Sequence, residues 1–297
     1  MLLHEVIENI RALVNSNDDN QGKSANSLYS NKLLVFELQS AIAIYANFTG
    51  AIEDVYSTFL NKKNRFVATP DDVVRRTPYR TAHVFHGTAK HSLKIVNNPV
   101  KMTNNFPYNT TTGIPEYCNL WNGKFYIYPG NDQDASSTTL SSAASEMDTT
   151  INVASTTGFI PENGRITIGT EKILYAYKTD ISFVGCERGV EKTSATTHTS
   201  GKAVTENNLE FRYRRHHWKI TVGSNDVIFT SHMNKKMEVA DEHLPAIINW
   251  TAYNLLNKVD ASRAAQYKMD SQQFLQMAKQ DIDMADTDQY GGYFIEI

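Results

Sequence analysis

Nine histidines and two cysteines are the side chains of this 297-residue chain whose chemistry could serve catalysis or metal binding. His83, His86 and His91 lie close together, and His216 and His217 are neighbours. Grouped imidazoles bind metals or carry protons, but the spacing here argues against both. Residues three apart on a strand point to opposite faces, so His83 and His86 cannot share one ion, and no His-Glu-x-x-His helix pattern occurs. Cys118 and Cys186 are too few for a disulfide framework or a zinc cage. Cys118 could pair with His86 as an activated nucleophile only through tertiary contact, and a small buried thiol is the ordinary role for both cysteines. Gly-rich dinucleotide loops, a phosphate-binding loop and a Gly-x-Ser-x-Gly elbow are all missing. The expectation is a protein that is not an enzyme, with no catalytic, metal or cofactor residues.

The densest positive run is Arg212, Arg214, Arg215, His216, His217, Trp218 and Lys219, with Tyr213 and Trp218 available to stack on bases. Strand alternation puts Arg212 and Arg214 on one face and Phe211 and Tyr213 on the other, which is also how a strand with one solvated face reads. Lys and Arg total 29 against 32 Asp and Glu, a net charge of −3, so no dominant electrostatic grip on nucleic acid or anionic membrane is expected. Residues 1–14 carry His4, Glu5, Glu8 and Arg11, which fits neither a signal peptide nor a membrane span, and an intracellular origin is expected.

The elements that must position these residues follow from periodicity. Leu3, Val6, Ile7, Ile10, Leu13 and Val14 step as one face of an amphipathic helix, followed by a polar loop from Asn15 to Ser27. A second helical pattern runs from Ser30 to Phe48; Gly50 breaks it, and Ile52, Val55, Tyr56 and Phe59 are read as its resumption. Arg80–Gly87 and Ser92–Asn97 read as a hairpin. Lys124–Tyr128 and Leu209–Arg214 alternate cleanly and are expected to pair, although 80 residues separate them.

The intervening segment, 135–206, is dense in Ser and Thr and reads as an inserted all-β module at the tip of that hairpin. Ala135–Ser145 is expected to be a linker, with strands at Thr150–Val153, Arg165–Ile168 and Lys172–Tyr177. Helical spacing returns at Pro245–Leu256, and Asp260 or Ser262 caps a further long helix antiparallel to it. Helical period is lost from Asp286. Gly291-Gly292 then introduces Tyr293, Phe294, Ile295 and Ile297, an apolar tail suited to adding a strand to a partner's sheet. The expected fold class is α+β: a mainly helical bundle body with a β-hairpin or small sheet, spanning 1–134 and 207–297, and the inserted module 135–206.

Several segments together resemble the head-to-tail adaptors of tailed bacteriophages, the neck components beneath the portal ring. They are Gly113-Ile114-Pro115-Glu116-Tyr117, Gly123-Lys124-Phe125-Tyr126-Ile127-Tyr128-Pro129, Leu209-Glu210-Phe211-Arg212-Tyr213-Arg214-Arg215, and Leu244-Pro245 with Ala252-Tyr253-Asn254-Leu255-Leu256. Within the insert, Gly164-Arg165-Ile166-Thr167-Ile168-Gly169, Glu171, Gly185-Cys186-Glu187-Arg188-Gly189 and His198-Thr199-Ser200-Gly201 look like a small β-module of phage structural proteins. There Glu171 and Arg188 are placed to pair across strands, and His198 to fasten a closing loop. Such adaptors usually lack so large an insertion.

The resemblance implies a structural virion protein of the neck, assembled in the host cytoplasm as a dodecameric ring. Its implied partners are the portal protein, tail or nozzle proteins and its own copies, with genomic DNA passing through the lumen without specific binding and no membrane contact. Tyr290, Tyr293, Phe294, Ile295 and Ile297 are the expected partner-binding residues. The alternative is a receptor- or carbohydrate-binding phage protein working through 135–206. The whole adaptor expectation hangs on one idea: 124–128 and 209–214 close a single ladder, and the helices around it serve contact between copies instead of chemistry.

Overall fold

The computed structural model describes residues 1–15, 29–74, 79–96 and 112–290. The chain forms two compact units, Met1–Ile52 with Arg215–Ile297, and Glu53–Arg214. Helix is about 30% and strand about 32% of the chain. The fold is therefore α+β as expected, but the body is not mainly helical: the aromatic and β-branched runs of the middle of the chain build far more sheet than a hairpin.

The first unit is helical. In α1 (Leu3–Asn15) the buried residues Leu3, Val6, Ile7, Ile10 and Val14 keep the predicted step. Helix α2 (Asn31–Thr49) starts at Ser30, whose hydroxyl accepts the Leu33 N–H at 3.2 Å. It ends at Gly50, which adopts φ 70° and donates its N–H to the Ala46 carbonyl at 2.9 Å. A left-handed glycine cap terminates a helix cleanly, so the expected resumption through Ile52–Phe59 does not occur; Glu53–Thr58 is a strand instead.

A short α3 (Thr230–Met233) and a 3-10 turn at Asp241–His243 precede α4 (Leu244–Leu256), which has Pro245 in its first turn. Helix α5 (Ala261–Tyr290) begins under an Asp260 cap, whose Oδ1 accepts the Arg263 N–H at 3.1 Å. It runs antiparallel to α4: Ser271 Oγ donates to the Ala246 carbonyl at 2.8 Å, and Asp281 lies 3.4 Å from His243. It also continues to Tyr290, past the Asp286 limit read from periodicity. Nearly every apolar residue of α4 is buried, and the outer helices pack around it in one core.

In the second unit, β1 (Glu53–Thr58), β3 (Tyr79–His86), β4 (Ala89–Ser92) and β16 (Leu209–Arg214) form one antiparallel sheet in the order β1-β16-β3-β4. A second sheet, β2-β8-β7-β5, comprises β2 (Phe66–Ala68), β5 (Lys94–Ile95), β7 (Tyr117–Trp121) and β8 (Lys124–Tyr128). The short strands β6 (Thr112–Gly113) and β9 (Gly130–Asn131) pair in parallel. The predicted ladder between 124–128 and 209–214 is thus absent. β8 pairs with β7 and β2, and β16 with β1 and β3.

The two strands meet through their faces, where Phe125, Ile127, Leu209, Phe211 and Tyr213 share one buried core. Alternation marks which side chains point inward, while the edges of β8 and β16 are taken by other strands, β1 and β3 for β16 and β2 and β7 for β8. The predicted hairpin at 80–97 is likewise tighter than expected. It turns at Gly87 between β3 and β4, and Lys94–Ile95 leaves to pair in parallel with β7.

The segment from β10 to β15 folds as a curled six-stranded half-barrel with its own core. Its strands are β10 (Ser137–Thr139), β11 (Thr150–Asn152), β12 (Glu162–Ile168), β13 (Glu171–Lys178), β14 (Ser182–Val184) and β15 (Ala203–Glu206), in the order β10-β15-β12-β13-β14-β11. The expected linker is therefore part of the module, since β10 pairs with β15. At Gly164 a Cβ would fall 2.1 Å from the Tyr175 hydroxyl, so only glycine admits that ring against β12.

Candidate assembly surfaces and the charged clasp of the module

The histidines are not gathered on one centre. His83 Nδ1 lies 3.2 Å from Ser92 Oγ, and His86 Nε2 is 2.6 Å from Asp132 Oδ1. The His91 ring approaches His86 at 6.2 Å, centroid to centroid. His217 is held in one tautomer, its Nδ1 donating to the Trp218 carbonyl at 2.8 Å while Nε2 accepts the Glu238 N–H at 3.3 Å. Burial lowers its pKa and favours that neutral ring. No group of three metal-ligating side chains is assembled among the described residues. Burial pushes the Cys118 thiol up to about 12 and Cys186 to about 11, far from the thiolate needed of a nucleophile.

The basic run is split by its strand. Arg212 is exposed opposite the buried Phe211 and Tyr213. Arg215 instead makes a two-pronged pair with Glu238, at 2.9 and 2.8 Å, and Glu238 also accepts the Trp218 N–H at 3.1 Å. Burial pushes the Glu238 carboxyl up, but the Arg215 hydrogen bonds outweigh it and hold the pKa low.

Within the module, Glu171 is fully buried and fully used. Its oxygens accept Arg188 Nε at 2.7 Å, Arg188 Nη2 at 2.8 Å, and the Gly189 and Thr196 N–H groups at 3.2 Å each, and His198 Nε2 lies 2.6 Å away. The Glu171–Arg188 pair and the His198 fastening read from the sequence are both present. Burial works against the carboxylate, yet Arg188 and His198 more than offset it, and the pKa falls below the ordinary value. The arrangement ties the 187–199 loop to β13 and holds no exposed reactive group.

A second cluster, unmarked in the sequence, joins the half-barrel to β1 and β16. Lys172 Nζ sits 2.7 Å from Glu191 Oε2 and donates to the Ser57 carbonyl at 2.5 Å, while the same Glu191 oxygen accepts the Ser57 N–H at 2.7 Å. Arg165 reaches Glu191 at 3.2 Å and also pairs with Glu210. Lys172 lies 3.8 Å from the centre of the Tyr56 ring, a cation–π contact. Its pKa is lowered by burial in spite of Glu191. Glu191 and Lys192 take φ of 54° and 64°, left-handed values costly for non-glycine residues and sustained here by the contacts they complete. Lys192 pairs outside the buried part with Asp54, at 3.2 Å, and with Asp72. In sequence, a Glu-Lys step in a polar loop is indistinguishable from an ordinary solvated pair.

Apolar side chains are exposed on two helices of the first unit. On α2, Leu33, Phe36 and Phe48 are 42%, 66% and 49% exposed; on α5, Met269, Met277 and Met284 are 66%, 49% and 60% exposed. From Met269 to Gln280 every exposed residue of α5 is methionine or glutamine: Met269, Gln272, Gln273, Gln276, Met277 and Gln280. Among the expected partner-binding residues, Tyr290 is the last residue of α5, with its side chain outside the described ones. Tyr293, Phe294, Ile295 and Ile297 lie outside the described residues altogether. No described helix is long and apolar enough to cross a membrane. No protein-family model and no curated protein matches the chain.

Proposed function

We propose that the protein is a non-enzymatic virion adaptor, whose copies form a ring beneath the portal of a tailed bacteriophage and join it to the tail while DNA passes through the lumen. The observation that carries this reading is the stretch Met269–Gln280 of α5, whose exposed residues carry no charge between the exposed Lys268 and Asp281. In a chain with 21% charged residues, a run of exposed positions holding only Met and Gln is the composition of an interface core, where charge is depleted and methionine enriched. The sequence resemblance supplies the context, with a neck location in the virion and twelve copies. The missing β8–β16 ladder removes one of its supports. What remains is the order of the helices, the strand segments themselves, and the core that β8 and β16 share.

The half-barrel is read as a fixed decoration of the adaptor, held by the Arg165–Glu191–Lys172 clasp. The apolar C-terminal residues 290–297 are proposed to dock on the neighbouring portal ring. A net charge of −3 suits a lumen that lets DNA slide without holding it. Cryo-electron microscopy of the full chain mixed with portal rings of the phage that encodes it tests the reading. A closed ring of the chain seated on the portal is expected; a chain that leaves the portal bare overturns it.

A further inference from the structure

We propose that the cleft at the tip of the β7–β8 hairpin is a subsite for a neutral pyranose sugar, which stacks on the Trp121 indole and directs its hydroxyls to Asp71 and Asn122. This goes beyond the adaptor reading, and either can hold without the other.

The cleft has two braced walls. Trp121 closes β7, and Asn122 and Gly123, with φ of 49° and 71°, make the two-residue turn into β8. The segment after β2 faces that turn: Thr69 donates both its N–H and its hydroxyl to the Gly123 carbonyl, at 3.2 and 3.0 Å. Farther along, Asp72 Oδ1 accepts the Tyr213 hydroxyl at 3.1 Å, and the Val74 N–H donates to the Arg214 carbonyl at 2.9 Å. Both walls are held before a ligand arrives, which spares binding the cost of ordering them. The cleft between them has a volume of about 370 Å³, with Val73 and Leu120 in its apolar lining. That is the size class of a small-molecule site.

The side chains at its mouth offer one flat ring and a polar rim. Trp121 is 55% exposed, and Tyr126 backs its ring at 6.5 Å between centroids. An indole presents an apolar face and a polar edge. Among the described residues, the Trp121 Nε1–H, the Asn122 amide and the Asp71 carboxylate are engaged by no hydrogen bond, and all three residues are exposed.

Shape and charge separate the ligand classes. Asp71 is the one charged side chain among the described lining residues, so a phosphate-bearing strand would meet like charge, whereas single-strand sites pair stacking rings with cations. A quaternary ammonium is held by a cage of rings, and among the described lining residues only Trp121 supplies one. A purely apolar ligand would cover the carboxylate and the amide without giving them partners. A neutral sugar ring meets every group: its C–H face lies on the indole, and its hydroxyls donate to the carboxylate and exchange hydrogen bonds with the amide.

One sugar ring on one aromatic side chain binds weakly, with a dissociation constant on the order of 1 mM. The test is saturation-transfer NMR of the full chain with methyl β-glucoside, methyl β-galactoside and methyl N-acetyl-β-glucosaminide, each at about 10 mM. At least one is expected to take up saturation at its C–H protons and to shift the Trp121 indole N–H signal. Trp121→Ala and Asp71→Ala should each weaken that binding about tenfold, and Trp121→Phe, which keeps an aromatic face, about threefold. Both side chains are exposed, so the variants should melt with the wild type, and equal melting separates loss of the site from loss of the fold.

Absence of transfer to all three sugars overturns the proposal. So does binding that survives Trp121→Ala, which would move sugar recognition elsewhere in the chain, 135–206 included. A larger shift of the Trp121 signal with tetramethylammonium or with an oligothymidylate than with any sugar assigns the cleft to a cation or to a nucleic acid and refutes it as well.

Discussion

The rings of Phe125 and Phe211 stack at 4.7 Å with an interplanar angle of 16°, although the strands that carry them belong to different sheets. Both side chains are fully buried, and Tyr56 and Tyr213 flank Phe211 at 5.2 and 6.1 Å. This stack is the centre of the core between the two sheets. Phe211→Ala or Phe125→Ala should each cost about 3–5 kcal/mol. The double variant should fall short of their sum by about 0.5–1.5 kcal/mol, the coupling expected of an aromatic pair. Urea denaturation of the four proteins checks this; strict additivity would show that the rings do not act together.

That stack also shows what the sequence could and could not reveal. Alternation in Lys-Phe-Tyr-Ile-Tyr and Leu-Glu-Phe-Arg-Tyr-Arg marks the inward residues, and Phe125, Ile127, Leu209, Phe211 and Tyr213 are all buried. It does not single out the strand beside each, because every strand offers the same ladder of backbone N–H and C=O groups and several strands here share the same inward alternation. The helices were legible because their apolar steps and caps are local. Val55 and Tyr56 misled because they stand at helical spacing from Ile52 and Phe59, and the left-handed cap at Gly50 decided against it. In the module, Glu171, Arg188 and His198 stood out within glycine-bounded turns, whereas Lys172 and Glu191 acquire meaning only from Ser57, more than a hundred residues away.

Glu171 should give the module an acid limit. Its pKa is lowered in the folded state, so the stabilisation it provides is complete above the ordinary value of 4.5 and is lost as the pH falls through the lower folded value. Glu171→Gln should remove that acid sensitivity. It should also cost about 3–5 kcal/mol at neutral pH, since Arg188 would remain buried without its counter-charge. Hydrogen exchange of the 187–199 loop against pH is the measurement, and a wild-type loop as protected at pH 3 as at pH 7 would refute the assignment.

Glu206 should act in the opposite sense. Burial raises its pKa from 4.5 to about 7, outweighing the Ile160 N–H that it accepts at 2.6 Å. Between those values the folded state holds a proton that the unfolded chain has released, so stability declines as the pH rises from 4.5 to about 7 and then levels off. The loss is on the order of 3 kcal/mol, at 1.36 kcal/mol per pKa unit. Glu206→Gln keeps an oxygen for Ile160 and should flatten this decline, melting above the wild type at pH 8 and level with it near pH 4.5. Thermal melts across that range decide it.

The clasp predicts a contrast between two neighbouring acidic groups. Glu191→Ala strands the buried Lys172 and Arg165 and should cost about 3–5 kcal/mol. Asp72→Ala removes a half-exposed pair with Lys192 and the hydrogen bond that Asp72 Oδ1 accepts from the Tyr213 hydroxyl at 3.1 Å, and should cost about 1–2 kcal/mol. Hydrogen exchange at Ser57 and along β12 should rise in the first variant and hardly change in the second. Equal effects would mean that the exposed pairs fasten the module as much as the buried ones.

Removal of residues 290–297 separates docking from folding. Among the described residues of α5 the buried ones are Ala264, Ser271, Leu275 and Ala278, all well before the cut, and its cap at Asp260 lies at the other end. The truncated chain should therefore melt within a degree or two of the full one, because a helix that is held by packing loses little when residues beyond its buried contacts are removed. Its capture by immobilised portal rings should fall at least tenfold if Tyr293, Phe294, Ile295 and Ile297 supply the added strand. Restoring only the apolar residues, with Glu296→Ala in the full chain, should leave capture intact, since backbone hydrogen bonds and apolar pockets carry such a contact. Capture that survives the truncation would move the portal contact elsewhere on the helical unit.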